Sequence, residues 1–151
     1  MKSFKTENAF NAYLTSSIKK LGTSYKVIKT SDRFKIGMAD FLIFHKGMCS
    51  AVEVKYIQKI PSRGNMLKHI VSGPQLSFLK GMELAGARTH IILGIGSHGG
   101  MAVFNPDRFE TGNMTVKDFK ECVHVYPAFH HSFMFDDIEG MLKFLFGEDP
   151  L

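Results

Sequence analysis

The chain is poor in cysteine: Cys49 and Cys122 are the only two in 151 residues. Neither belongs to a Cys-x-x-Cys pair, which excludes a zinc site of that kind. Cys49 falls inside an apolar, strand-like run, where a cysteine reads as a small core residue rather than half of a disulfide. Histidine supplies no metal pattern either. His130 and His131 are adjacent and diverge on a helix or a strand, and His124 does not improve the spacing. No apolar run is long enough to span a membrane, and the stretch Met1 to Glu7 lacks the apolar segment of a secretory signal. These absences give the expectation of a cytoplasmic protein with no membrane partner. No internal repeat and no linker interrupts the chain, and its length suits one domain, 1–151.

Apolar residues make up 44% of the sequence, enough for a core and too many for a disordered chain. The net charge is +5 and the isoelectric point about 9.2. A basic domain fits a partner that carries phosphates, although many basic proteins bind no nucleic acid.

One stretch, Gly37 to Lys55, organises the rest. Two apolar runs, Met38 to Phe44 and Met48 to Tyr56, meet at Lys46-Gly47, the pattern of a β-hairpin with a two-residue loop. Such a loop sets His45 opposite Met48 and Asp40 opposite Glu53. Both acids then point to one face, and Lys55 points there too. Directly opposed like charges destabilise an antiparallel pair, and ionised carboxylates among Phe41, Leu42, Ile43, Val52 and Val54 are costly. A local rule broken inside a core element marks a functional site. A divalent cation between the carboxylates removes the conflict, because hard cations such as Mg²⁺ take oxygen ligands. With a lysine alongside to hold a water or a phosphate oxygen, the set suits phosphodiester hydrolysis. The blander alternative is a hairpin slipped by one residue, which puts Asp40 on the other face and leaves both acids at the surface.

Asp40, twelve intervening residues and then Glu53-Val54-Lys55 resemble the D…(D/E)-x-K signature of the restriction-endonuclease-like PD-(D/E)xK nuclease superfamily. Within it the small Holliday-junction resolvases and the virus-type replication-repair nucleases are the most similar. The proline that usually precedes the first Asp is Ala39 here. The resemblance implies an α/β fold: a single-domain core of order α-β-β-β-α-β, a mixed sheet flanked by helices, over about 5–95, with a C-terminal α/β extension over about 96–151. It implies a Mg²⁺-dependent endodeoxyribonuclease, with Mn²⁺ as a substitute, acting on branched DNA in a bacterial, archaeal or phage-infected cell. Paired nicks in a symmetric junction call for a homodimer. Asp40, Glu53 and the backbone carbonyl of Val54 would hold one or two metal ions, and Lys55 would orient water or offset charge on the phosphate. The alternatives are a replication-repair nuclease acting on flaps or nicks, and a non-catalytic DNA-binding module on the same fold. Against the latter, Asp40, Glu53 and Lys55 are all intact.

The flanking segments fit that order. Residues 6–21 read as a helix with Thr6 as N-cap, Gly22 as the stop, and Ala9, Phe10, Tyr13, Leu14, Ile18 and Leu21 on one stripe. Glu7, in its first turn, is either an acid favoured by the helix dipole or, as the resemblance implies, a further metal ligand. Residues 25–30 read as a strand, followed by a polar loop whose Asp32 and Arg33 are either a surface pair or, for Arg33, a contact to the nucleic acid. The basic stretch 57–72 carries Lys59, Arg63 and Lys68 directly after Lys55; it is either a contact to the nucleic-acid backbone or an ordinary solvated connection. Residues 74–85 read as a second helix with Phe78, Leu79, Met82 and Ala85 inward. Ser72-Gly-Pro-Gln75 matches a capping box, while the resemblance implies a Gln75 near the attacking water; the two readings need not conflict. Strands follow at 89–95 and 101–104. His98, between glycines, reads as a turn residue, with a proton carrier as the alternative. Towards the end of the sequence stand a short helix at 115–121, an edge strand at 123–126 and an amphipathic helix over 136–146. The aromatic residues there read as core packing, with a subunit interface as the second choice.

Overall fold

The computed structural model describes residues 4–22, 24–30, 37–59, 71–96, 100–106 and 138–148. The chain runs α1 (Glu7–Lys20), β1 (Lys26–Lys29), β2 (Phe41–His45), β3 (Met48–Ile57), α2 (Gly73–Leu84), β4 (Arg88–Ile95), β5 (Gly100–Phe104) and α3 (Ile138–Leu145). The strands form one mixed sheet in the order β1-β2-β3-β4-β5. Only β3 and β4 are parallel; the other neighbours are antiparallel. A parallel step needs a crossover connection, and α2 lies in it. The expected order α-β-β-β-α-β is observed, and the fold is α/β with helices on both faces of the sheet.

The hairpin closes as its sequence requires. Lys46 and Gly47 take positive φ, 48° and 77°, the twist that suits a two-residue loop. The ladder runs from His45↔Met48 to Phe41↔Val52. Continued by one residue, that register sets Asp40 against Glu53, and the slipped alternative is excluded. Ser50 to Val54 on the middle strand are buried without a break, as expected of a strand covered on both faces.

The two faces are filled by different helices. α1 covers the Tyr56 face: its Phe10, Leu14 and Ile18 are fully buried, each worth about 1.5–3 kcal/mol. α3 lies on the same face, with the Phe144 ring 6.3 Å from that of His90. α2 covers the opposite face through buried Leu79. Thr6 caps α1 as expected. Its inner stripe differs from the expected one, for Ala9 and Leu21 are exposed while Asn11 and Thr15 are buried. Thr15 tolerates burial because its hydroxyl donates to the Asn11 carbonyl oxygen at 3.1 Å. Ala85 is also exposed, because it is the C-cap of α2 rather than part of its inner face. Cys49 is a half-buried free thiol, and burial pushes its pKa up.

Past α3 the chain is tied back to the hairpin. Buried His45 has Nδ1 2.6 Å from the Ser24 carbonyl oxygen and Nε2 3.1 Å from Glu148 Oε1. Its ring stacks on Tyr25 at 4.1 Å. The expected helix at 115–121 and strand at 123–126, together with Cys122, His98, His124, His130 and His131, lie outside the described residues. Among the described residues, no helix is long and apolar enough to cross a membrane.

His90 gives this packing a pH signature. Burial, with the Arg88 charge adding, pushes the ring down to about 4 from an ordinary 6.5. A group whose pKa is depressed on folding contributes stability that is complete above the unfolded value and lost as pH falls through the folded one. The urea midpoint of the wild type is expected to drop between pH 6.5 and 4, and His90→Gln should flatten that part of the profile. Parallel profiles for the two proteins would refute it.

Candidate active site

Two backbone devices bring Asp40 to the centre of the sheet. Gly37 has φ 88°, and a Cβ on it would lie 2.6 Å from the backbone and side chain of Pro74. Only glycine satisfies both the conformation and the space, so the entry to β2 rests on the first turn of α2. From the other side, Thr30 N–H donates to the Asp40 carbonyl oxygen at 3.1 Å and the Thr30 hydroxyl donates to that of Ala39. With its backbone held, Asp40 reaches across to β3, and its Oδ2 accepts the Val54 N–H at 2.7 Å.

Glu53 is 2% exposed and stands beside Asp40. Its Oε1 receives Gln75 Nε2 at 2.8 Å and Lys55 Nζ at 3.2 Å. Its Oε2 is buried with no hydrogen-bond partner. Burial pushes the Glu53 carboxyl up to about 8; Asp40 adds to the rise and Lys55 opposes it. Two donors on one oxygen and none on the other is an unbalanced arrangement, since a buried unpaired acceptor costs about 1–3 kcal/mol.

Gln75 caps α2 and also reaches Glu53. The capping box is present: Ser72 Oγ accepts the Gln75 N–H at 3.2 Å, and Gln75 Oε1 accepts the Ser72 N–H at 2.9 Å. With its oxygen committed to the cap, the amide must present its NH₂ end to Glu53. One side chain therefore starts α2 and holds the acid on β3.

Glu7 stands at the margin of this group. Burial raises its pKa; Lys55 lowers it, Asp40 raises it, and the Tyr56 backbone N–H lowers it. Lys55 is thus shared between acids on β3 and on α1. Among the described residues, no three His, Cys, Asp or Glu side chains are gathered closely enough to hold a metal ion. What is built is the Asp40–Glu53 pair. Its chemistry fits a hard divalent cation, which would satisfy the bare Oε2 and remove the repulsion between neighbouring carboxylates. Lys59 is exposed just past the end of β3. Arg33, Arg63 and Lys68 lie outside the described residues.

Sequence reasoning missed the supports. Thr30 carries no local signal, because its partners, Ala39 and Asp40, are nine and ten residues away in the chain and meet it only through the β1–β2 pairing. Gly37 and Ser72 were visible as a glycine and a cap, but their link to the acids exists only in three dimensions.

No protein-family model matches the sequence, and no curated protein matches it. A solved structure that it resembles is the 1.6 Å structure of Archaeoglobus fulgidus Hjc, a Holliday junction resolvase from an archaeal hyperthermophile. The likeness covers 67% of this chain and 73% of that one, at 16% identity and a TM-score of 0.49. A likeness this distant carries no function with it, and the reading below rests on the side chains.

The raised Glu53 carboxyl makes a second pH signature. The folded protein holds that proton more tightly than the unfolded chain, so stability is complete below about 4.5 and lost as pH rises through 8. In chelator, Glu53→Gln is expected to match the wild type near pH 4 and to exceed it in denaturant midpoint above pH 8. A variant less stable than the wild type above pH 8 would contradict the burial argument.

Proposed function

We propose that this chain is a divalent-metal-dependent endodeoxyribonuclease that hydrolyses phosphodiester bonds in branched DNA, related to the Holliday-junction resolvases and virus-type replication-repair nucleases. The observation that carries the reading is the pair of half-buried Asp40 and buried Glu53, side by side, with Lys55 on one Glu53 oxygen and no hydrogen-bond donor on the other. A buried carboxylate beside a second acid is an expensive feature to keep without a cation to offset it. In this reading residues 1–151 are one domain, with a core over about 5–95 and an extension beyond it.

Asp40, Glu53 and the Val54 carbonyl would hold Mg²⁺, or Mn²⁺ in its place, with Glu7 as a further ligand. The metal, when bound, lowers the pKa of a coordinated water and offsets charge on the phosphate. The protein groups have separate tasks. Gln75 keeps the Glu53 carboxylate aimed, because its own amide is locked by the α2 cap. Lys55 brings an ammonium to the same point, where it would hold the attacking water or a non-bridging phosphate oxygen. Ile91, paired with Glu53 on the neighbouring strand and itself buried, helps keep bulk water from the acid and strengthens these charges. Lys59 would meet the DNA backbone, as would Arg33, Arg63 and Lys68. A symmetric four-way junction, nicked in pairs, would be met by a two-fold homodimer.

The test is cleavage of four-way junctions, flaps and linear duplexes of one sequence in Mg²⁺, Mn²⁺ and Ca²⁺. Cleavage of the junction is expected in Mg²⁺ and Mn²⁺. In Ca²⁺, larger and more loosely coordinated, binding without turnover is expected. Asp40→Asn and Lys55→Ala should each lower the rate about 100-fold or more while leaving the circular-dichroism spectrum unchanged. Preferred cutting of flaps would shift the substrate to replication-repair intermediates. Salt-sensitive binding with no cleavage in any metal would reduce the chain to a DNA-binding module.

A further inference from the structure

The end of β3 and the residue just past it do two things at once. Glu53 and Lys55 face α2, while Tyr56 and Gln58, by the alternation of a strand, face α1. On that side the segment entering α1 is gripped at Phe4. The Phe4 N–H donates to Tyr56 Oη at 2.9 Å, and Gln58 Nε2 donates to the Phe4 carbonyl oxygen at 2.6 Å. The Phe4 ring fills the space between, 5.1 Å from Tyr13, 5.7 Å from Phe10 and 6.1 Å edge-on to Tyr56. Thr6 then caps the helix through the Ala9 N–H at 3.1 Å, and Glu7 is its first residue. Gly96, past the end of β4, leaves room for the grip: a Cβ there would lie 2.5 Å from Tyr56 Oη and 2.6 Å from Gln58 Oε1.

We propose that Tyr56 and Gln58 are positioning residues: by holding the backbone of Phe4 they fix the entry to α1 and set how near Glu7 stands to the Asp40–Glu53–Lys55 group. The proposal rests on the metal-dependent nuclease reading, in which Glu7 is a ligand. Its physical basis is short. Glu7 has a side chain of fixed reach, so whether it meets a cation is decided by where the first turn of α1 sits. That turn is tied by two side chains to the same strand end that carries Glu53 and Lys55. Lys55 and Asp40 already act on Glu7 electrostatically, so a small displacement of the turn changes the charge balance of the whole group. Tyr56 is suited to the task because one residue offers a ring to pack against Phe4 and Phe10 and a hydroxyl oxygen to accept the Phe4 N–H.

The experiment measures Mn²⁺ affinity of the full chain by electron paramagnetic resonance of the free ion. It compares the wild type, Tyr56→Phe, Tyr56→Phe/Gln58→Met, Glu7→Gln and the triple combination. Tyr56→Phe keeps the ring and Gln58→Met keeps the stem, so packing is preserved while both bonds are lost. The double variant is expected to bind Mn²⁺ about tenfold more weakly, in the range that outer-shell supports of metal ligands show. Adding Glu7→Gln should weaken binding no further than Glu7→Gln alone, the mark of two changes acting through one contact. Amide exchange at Ala9 and Phe10 should accelerate in the double variant, showing a loosened helix start. Unchanged Mn²⁺ affinity in the double variant, or losses that simply add, overturns the positioning role. A wild type that binds no Mn²⁺ overturns the nuclease reading instead, and the two failures are thereby told apart.

Discussion

Everything in this molecule turns on one carboxylate, Glu53, kept out of water next to another. Its position is unfavourable taken alone: burial and Asp40 both oppose its charge. The fold nonetheless commits two donors to it. Lys55 and Gln75 bond one oxygen, while neighbouring Asp40 accepts the Val54 N–H. The other oxygen is left bare. Proteins do not keep such an arrangement for stability, because an apolar pair of the same volume would pack the sheet better. They keep it where charge has to be available to a ligand.

The middle strand is the mechanical centre that makes this possible. β3 is buried from Ser50 to Val54, so the acid cannot relax toward solvent. Side-chain contacts tie each flanking element to the end of this strand: the start of β2 through Asp40 on Val54, α2 through Gln75 on Glu53, and the α1 entry through Phe4 on Tyr56 and Gln58. The apolar layers around them supply the stability, and these contacts supply the aim. Such a division fits a site held by rigid elements rather than by loops.

Much of this was legible in the residues. The Lys46-Gly47 break and the two apolar runs encode the hairpin register, because a two-residue loop admits one pairing, and that pairing places Asp40 against Glu53. Thr6, Gly22 and the Ser72–Gln75 box mark helix ends by chemistry confined to a few neighbouring residues. The exposure of Ala9 and Leu21, and the burial of Asn11 and Thr15, were not legible. Which side of a helix turns inward depends on the neighbours it meets, and a hydroxyl bonded within its own helix can replace an apolar group there.

The sequence by itself determined the order of the elements, the hairpin register and the identity of the two acids and the lysine, since each depends on contacts between residues close in the chain. The tertiary structure alone decided which Glu53 oxygen is left bare, that the α2 cap and the acid share Gln75, that Gly37 must yield to Pro74, and that Phe4 is held by the far end of β3. The physical reason is the same in each case. These contacts join residues separated by 22 to 54 positions or require the close packing of two separate elements, and no local pattern of side chains encodes where such partners meet.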